Sequence, residues 1–323
     1  MEWMGDPSVG SWLVDRIDSF FGASMHGVVP RGYEAYARVF HPASVRSLPG
    51  GAVPTAHEWE RMPAAEQQRL IDLFEEHPAT WADVAAAFRT SLHPLAQWQS
   101  LVRTPAGEDW RTRLSPDGRE FTSPDEGQLP AGLLAVVSGH LAAHTRTPDA
   151  GIAALWDGWG GLTGGLGHAP NTLSFGLGGD PHHEAMLGRS IHDPLNTAFR
   201  KPTWQEGILS REISEGPRLE LPDRAHVLFA AAPREFADPG WVLRAPWRDL
   251  PAEAHGFAPS ALSPSILWPE DRAWTLVTEV DFDSTVVAGT AALIAELCAD
   301  DRLEALPIPA DADLGWDADT INR

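Results

Sequence analysis

Between Ala273 and Asp283 the side chains alternate in kind from one residue to the next, and this stretch limits what the rest of the chain can fold into. Successive side chains of an extended strand point to opposite faces. Trp274, Leu276, Thr278, Val280 and Phe282 fall on one face, which belongs against a core. Ala273, Thr275, Val277, Glu279, Asp281 and Asp283 fall on the other, which starts apolar and ends in three carboxylates. Asp283 or Ser284 can cap a following helix. In that helix Val286, Thr290, Leu293 and Leu297 recur at helical spacing. The expectation is a long strand, an acidic corner and an amphipathic helix.

The corner also spells a chemical motif. Apolar residues followed by Asp281-Phe282-Asp283-Ser284-Thr285-Val286 resemble the first motif of the haloacid dehalogenase-like phosphohydrolases. The resemblance implies a nucleophilic first Asp and an acid/base second Asp beside a bound Mg²⁺, a hard cation suited to oxygen ligands. That family places the motif early in its domain and needs a later Ser/Thr, a Lys and a further acidic pair. Here 40 residues follow Asp283, and the one Lys, Lys201, precedes it. Asp300-Asp301 follows too closely to lie on a separate strand. The reading adopted is a strand end whose carboxylates are solvated or cap the helix.

Composition narrows the partners. A formal charge of −21 repels phosphate backbones and anionic lipid, which disfavours nucleic-acid and membrane-surface roles. The single cysteine, Cys298, excludes an internal disulfide and a cysteine-based metal cluster. No stretch approaches 18 uninterrupted apolar residues, and MEWMGDPSVGSW lacks the basic start and small-residue cleavage site of a signal peptide. The expected compartment is the cytoplasm.

Along the chain, Val9–Phe21 reads as a first helix, with Trp12, Leu13 and Ile17 on its buried side. Residues 34–41 read as a strand that Pro42 ends. Helices are expected over Ala64–Glu76 and Trp81–Leu92, each stopped by a His-Pro pair; Thr80 with Asp83 resembles a capping box. A further helix over Ala131–His144 puts His140 and His144 four apart, the spacing of zinc-binding helices, without the Glu of an HExxH arrangement. Ile152–Trp156 and Arg224–Ala231 read as short buried strands. Residues 160–220 are a Gly/Pro-rich insertion that matches no phosphate-binding pattern, with His168, His182, His183 and His192 as solvated residues. The tail after Arg302 packs through Leu306, Ile308 and Trp316, with its end not well fixed.

These elements give an α+β fold: a mixed sheet including residues 34–41, 152–157, 225–231 and 273–282, with helices mainly on one face, in a single domain over 1–323. The blocks VPRGYEAYARVFHP (29–42), LWDGWG (155–160) and WPEDRAW…TEVDFDST (268–285), with the LEALPIP tail, are similar to a family of uncharacterised actinobacterial proteins. The resemblance implies no activity, because that family has none assigned.

The functional expectation is a non-enzymatic cytoplasmic binding or regulatory protein for a small molecule or a protein partner, with no cofactor. Candidate ligand contacts are Tyr36, Arg38 and His41 on the first strand, Asp157 and Trp159 in the WDGW turn, and Trp268, Arg272 and Glu279 around the central strand. The first alternative is a metal-assisted hydrolase or transferase that uses Glu279, Asp281 and Asp283 on a divalent ion, with His140 and His144 as further metal candidates. The second is an immunity- or antitoxin-type protein whose acidic surface covers a basic partner.

Overall fold

A run of β-branched residues decides the middle of the chain. Thr285, Val286 and Val287 lose side-chain freedom in a helix and pack well on a pleated surface; Ser284–Gly289 is a strand. The helix expected from Asp283 or Ser284 begins instead at Ala291, where the Thr290 hydroxyl accepts the Leu293 N–H at 3.2 Å. The strand before the corner is also shorter than the alternation implied, covering Thr275–Val277. The acidic corner is therefore the turn of an antiparallel hairpin in which Val277 faces Val286.

The computed structural model describes residues 1–18, 24–167 and 201–322. In chain order the strands are β1 (Glu2–Met4), β2 (Ala35–Phe40), β3 (Ala43–Ser47), β4 (Glu75–Ala79), β5 (Thr112–Leu114) and β6 (Glu120–Thr122). There follow β7 (Gly151–Trp156), β8 (Gly165–Gly167), β9 (Thr203–Gln205), β10 (Leu219–Leu221) and β11 (Arg224–Ala230). The last four are β12 (Ile266–Pro269), β13 (Thr275–Val277), β14 (Ser284–Gly289) and β15 (Ala305–Ile308). The large sheet runs β1-β11-β7-β12-β13-β14-β2-β15, with β10 sharing the outer edge of β11 beside β1. A smaller sheet runs β4-β3-β6-β5, and β8 pairs with β9. The sheets left as mixed by the sequence are antiparallel in every described pairing. The α+β class stands.

Both faces of the large sheet are covered, and the side-chain parity of its strands distributes residues between two cores. Ala37, Val39, Leu155, Phe229, Leu267, Trp274, Leu276 and Val287 pack against Leu134, Val137 and Leu141 of the Ala131–Ala143 helix and Leu293, Ile294 and Leu297 of the Ala291–Cys298 helix. Tyr36, Leu228, Ile266, Trp268, Val277, Val286 and Ile308 pack on the opposite side against Trp12, Leu13, Ile17, Met25, Val29, Ala312 and Leu314. The long regular helices thus lie on one face, while the chain's two terminal segments lie on the other. That second cover explains why Thr275 and Val277, expected on a face that turns acidic, are as buried as Leu276. Beyond Val277 the parity breaks at the turn, and Phe282 packs with the second core, not with Trp274 and Leu276.

Pro42 passes β2 directly into β3, so the small sheet grows from the end of the large one. Its own core joins Phe40 and Ala43 to Trp81, Val84 and Phe88 of the Trp81–Phe88 helix, and to Trp98, Leu101 and Phe121. The Thr80–Asp83 capping box is present. The two expected helices here are shorter, Ala64–Ile71 and Trp81–Phe88. His77-Pro78 is not a helix stop but part of β4, an edge strand, where a missing N–H leaves no ladder bond unmade.

At the start, Val9–Phe21 is a 3₁₀ turn (Pro7–Gly10) and a short helix (Ser11–Val14) within the described residues. Of the 160–220 insertion, residues 168–200, including His168, His182, His183 and His192, lie outside the described part; the flanking segments pair as β8 and β9. The tail is better anchored than expected. Asp319 is buried and accepts from Asn322 N at 2.9 Å, and Asn322 Nδ2 donates to the Ser91 carbonyl at 2.9 Å. Among the described residues no helix is long and apolar enough to cross a membrane.

Two-sided burial has a direct check in urea unfolding. Leu276→Ala is expected to cost about 2–5 kcal/mol. Val277→Ala is expected to cost more than ~1 kcal/mol, whereas a solvent-facing valine would change stability by only about 0.5 kcal/mol.

Candidate functional site

Arg38 lies on β2 at the junction of the two sheets and is 1 % exposed. A buried guanidinium is tolerable only when its donors are matched, and here they are. Nε donates to Ser284 Oγ at 2.8 Å, Nη1 to the Ala96 carbonyl at 2.6 Å, and Nη2 to Asp283 Oδ1 at 3.0 Å. Its plane lies over the Phe40 ring, 4.6 Å from the centroid. Burial pulls its pKa down, and the Asp283 charge opposes that.

Three residues on, His41 is also buried, and burial pushes its pKa down, so the ring is neutral near pH 7. Nδ1 is 2.9 Å from the Asp125 carbonyl, which can only accept, so Nδ1 carries the proton. Nε2 then accepts from the Thr285 hydroxyl at 2.9 Å, which in turn accepts from Thr278 at 2.8 Å. This chain of bonds has one direction and leaves His41 no free lone pair.

The rest of the acidic corner is matched by Arg224 at the start of β11. Its Nη2 reaches Glu279 Oε1 at 3.0 Å and Asp281 Oδ2 at 2.7 Å. Asp281-x-Asp283 thus sits in a turn between two strands with each carboxylate on an arginine, a geometry unlike a strand end feeding a helix. Burial still raises the Glu279 pKa despite its cation. Beside it His226, 4 % exposed, has an Nδ1 with no hydrogen-bond partner among the described residues. These side chains and Ser265 line a crevice of about 10 Å³, room for roughly one water.

The other sequence candidates lie apart. Tyr36 is core, with its ring edge-on to His26. Trp268 is core against Trp12, centroids 6.0 Å apart, and Arg272 lies over the Trp12 ring from outside. Asp157 accepts from Arg218 Nε at 3.3 Å. Trp159 stacks edge-on to Trp156 and borders Gly127. His144 and His140 face the Ala291–Cys298 helix and the turn after it, pairing with Glu296 at 2.9 Å and Asp300 at 2.8 Å. Among the described residues no group of three His, Cys, Asp or Glu side chains stands in ligating position. The candidates are held by separate parts of the fold and do not converge on one pocket.

A cleft that the sequence reading passed over lies where β3, β4 and the end of β6 meet the loop after it. It has a volume of about 480 Å³ and is lined by Ser44, Glu76, His77, Thr122, Ser123 and Asp125, with Pro42, Ala43 and Pro78. One of these lining residues, Asp125, is held through its carbonyl by His41. The loop is pinned again at Gly127, whose N–H donates to the Phe282 carbonyl at 2.8 Å. Gly127 has φ +69°, and a Cβ there would stand 2.7 Å from the Val280 backbone. A glycine is required. Sequence carried little sign of this cleft, because its lining comes from three separated segments and Glu76-His77-Pro78 reads as a helix end.

No protein-family model, curated protein or solved structure matches the chain.

Two variants test these networks. Arg38→Ala should cost about 3 kcal/mol in denaturant unfolding, since it strips buried acceptors and Asp283 of their donor. His226 stays neutral in the fold, its pKa pushed down to about 4 by burial from the ordinary 6.5. The unfolded chain binds more protons between those values, so this stabilisation is full above pH 6.5 and is lost as pH falls to about 4. The total is about 3 kcal/mol. Glu279, with its raised pKa, works in the opposite sense: its contribution is present at low pH and lost as pH rises. Comparing wild type with His226→Gln isolates the histidine, and the variant should show a flatter stability profile between pH 7 and 4.5.

Proposed function

We propose that this chain is a cytoplasmic, non-enzymatic binding protein whose ligand is a small cationic molecule rich in hydrogen-bond donors, held in the cleft between β4 and the Ser123–Asp125 segment. The observation that carries this reading is the character of the cleft. Its volume of about 480 Å³ is in the range of small-molecule sites, and two acidic residues, Glu76 and Asp125, and three hydroxyl-bearing ones, Ser44, Thr122 and Ser123, line one space. A net charge of −21 draws cations toward such an opening and repels nucleic acid. The buried ionisable groups nearest to it, Arg38 and His41, spend their hydrogen bonds on holding the fold and have none left for turnover. The similarity to actinobacterial proteins adds no activity to this reading.

A second reading, a protein partner, has an observation of its own. Between β3 and β4 the chain makes two helices, Ala56–Arg61 and Ala64–Ile71, that bury no residue fully and leave Ile71 and Leu73 about half exposed. Glu58, Glu60, Glu66, Asp72, Glu75 and Glu76 surround them in sequence, so a partner for this face is basic and partly apolar.

Calorimetric titration with a panel of aliphatic diamines and amino sugars separates the two. The cleft reading expects one-to-one binding to at least one of them, weakened about tenfold in Asp125→Asn or Glu76→Gln, a loss of ~1.4 kcal/mol. Ile71→Ser/Leu73→Ser should leave that binding unchanged. Absence of binding across the panel, or binding indifferent to both carboxylate variants, would sink the cleft reading.

A further inference from the structure

The His140–His144 pair has a second feature beyond its spacing. The Ala131–Ala143 helix and its C-cap residue set the two imidazoles one turn apart, and the neighbouring Ala291–Cys298 helix presents Glu296 to both. His144 Nε2 is 2.9 Å from Glu296 Oε2, and His140 Nδ1 is 3.8 Å from the same oxygen. The far nitrogen of His140, Nε2, is 2.8 Å from Asp300 Oδ2. One exposed Glu296 oxygen thus approaches both imidazoles, while Asp300 takes the outer nitrogen of His140 together with the Arg302 guanidinium.

From these positions we propose that His140, His144 and Glu296 form a binding site for a divalent transition-metal ion of the zinc class, with Asp300 as the outer carboxylate that orients His140. Neighbouring ligand atoms around a tetrahedral zinc stand about 3.3 Å apart, given metal–ligand bonds near 2.0–2.1 Å. The two distances to Glu296 Oε2, 2.9 and 3.8 Å, bracket that value. As the described chain stands, no three donors are in ligating position. The His144–Glu296 hydrogen bond occupies the place, and binding replaces its proton with the cation. The adjustment falls on Glu296, whose side chain is 55 % exposed and can shift by a fraction of an ångström without disturbing the core. Two imidazoles and one carboxylate suit zinc, cobalt or nickel better than magnesium or calcium. The Asp300–His140 contact repeats the outer-partner arrangement that fixes the tautomer of metal-bound histidines. A cleft of about 380 Å³ lined by His144, Thr145, Arg146 and Asp271 lies beside one of the three ligands. Bound there, the ion ties together the two helices that cover one face of the sheet. This site is separate from the cleft at β4, and the two stand or fall independently.

The test is titration of the untagged full chain with Zn²⁺ after chelator treatment, together with Co²⁺ absorption. A one-to-one component is expected, with visible Co²⁺ bands and a rise in melting temperature. That component should weaken at least tenfold in His144→Ala and in Glu296→Gln, and by about 10- to 100-fold in Asp300→Asn. Glu296→Gln alters an exposed side chain and keeps a hydrogen-bonding group, so it separates loss of a ligand from loss of the fold. A wild-type chain without the component, or one whose component is unchanged in Glu296→Gln and His144→Ala, would overturn the assignment.

Discussion

A guanidinium sealed inside a protein dictates the positions of everything that must accept from it, and Arg38 does this at the joint of the two sheets. Its acceptors come from three places: the carbonyl of Ala96, the hydroxyl of Ser284 at the start of β14, and the carboxylate of Asp283 in the hairpin turn. Leaving any of them unpaired would cost on the order of 1–3 kcal/mol. The end of β2, the start of β14 and the loop after Pro94 are thereby locked into one arrangement, and the small sheet, which starts at Ala43, inherits its orientation from that lock. His41 extends the same logic by one turn of reasoning, since its buried neutral ring needs one donor and one acceptor and finds them in Thr285 and Asp125.

The same joint accounts for how the acidic corner is held. In this turn each of the three carboxylates has one oxygen committed to an arginine of another strand. Asp283 meets Arg38, and Glu279 and Asp281 meet Arg224. The short motif contains no information about these surroundings. The surroundings come from β2 and β11, which lie far from it in sequence.

Sequence periodicity made much of the sheet legible, because alternation is a local consequence of strand geometry. Ala35–Phe40, Gly151–Trp156 and Arg224–Ala230 lie where the pattern put them, and the Thr80–Asp83 box caps the helix it should. The pattern failed at Val286, Thr290, Leu293 and Leu297, where residues of a strand and of a helix happened to share helical spacing; the β-branched run was the better guide. It also failed at Val277, because one strand cannot show whether another segment will come to lie over its second face. Here that cover comes from Trp12, Leu13, Ile17, Met25 and Val29 near the start of the chain and from Ala312 and Leu314 in its tail. Five of the eight expected ligand contacts, Tyr36, Arg38, His41, Trp268 and Glu279, are buried, and in sequence a buried arginine serving its neighbours is identical to one serving a ligand.

What distinguishes the cleft at β4 from the exposed polar surface elsewhere is the stiffness of its wall. Asp125 is exposed, yet its carbonyl is fixed by His41 Nδ1, and two residues later Gly127 is fixed by the Phe282 carbonyl in a space that excludes any side chain. Both anchors belong to the joint that Arg38 locks. The backbone that carries the Asp125 carboxylate is thereby fixed, which under the proposed reading lowers the conformational entropy lost on binding. The opposing wall, Glu76 and His77, sits on an edge strand whose proline keeps other strands from pairing there. Under the proposed reading the buried polar groups would contribute to function at one remove, by holding the backbone of the cleft wall in place.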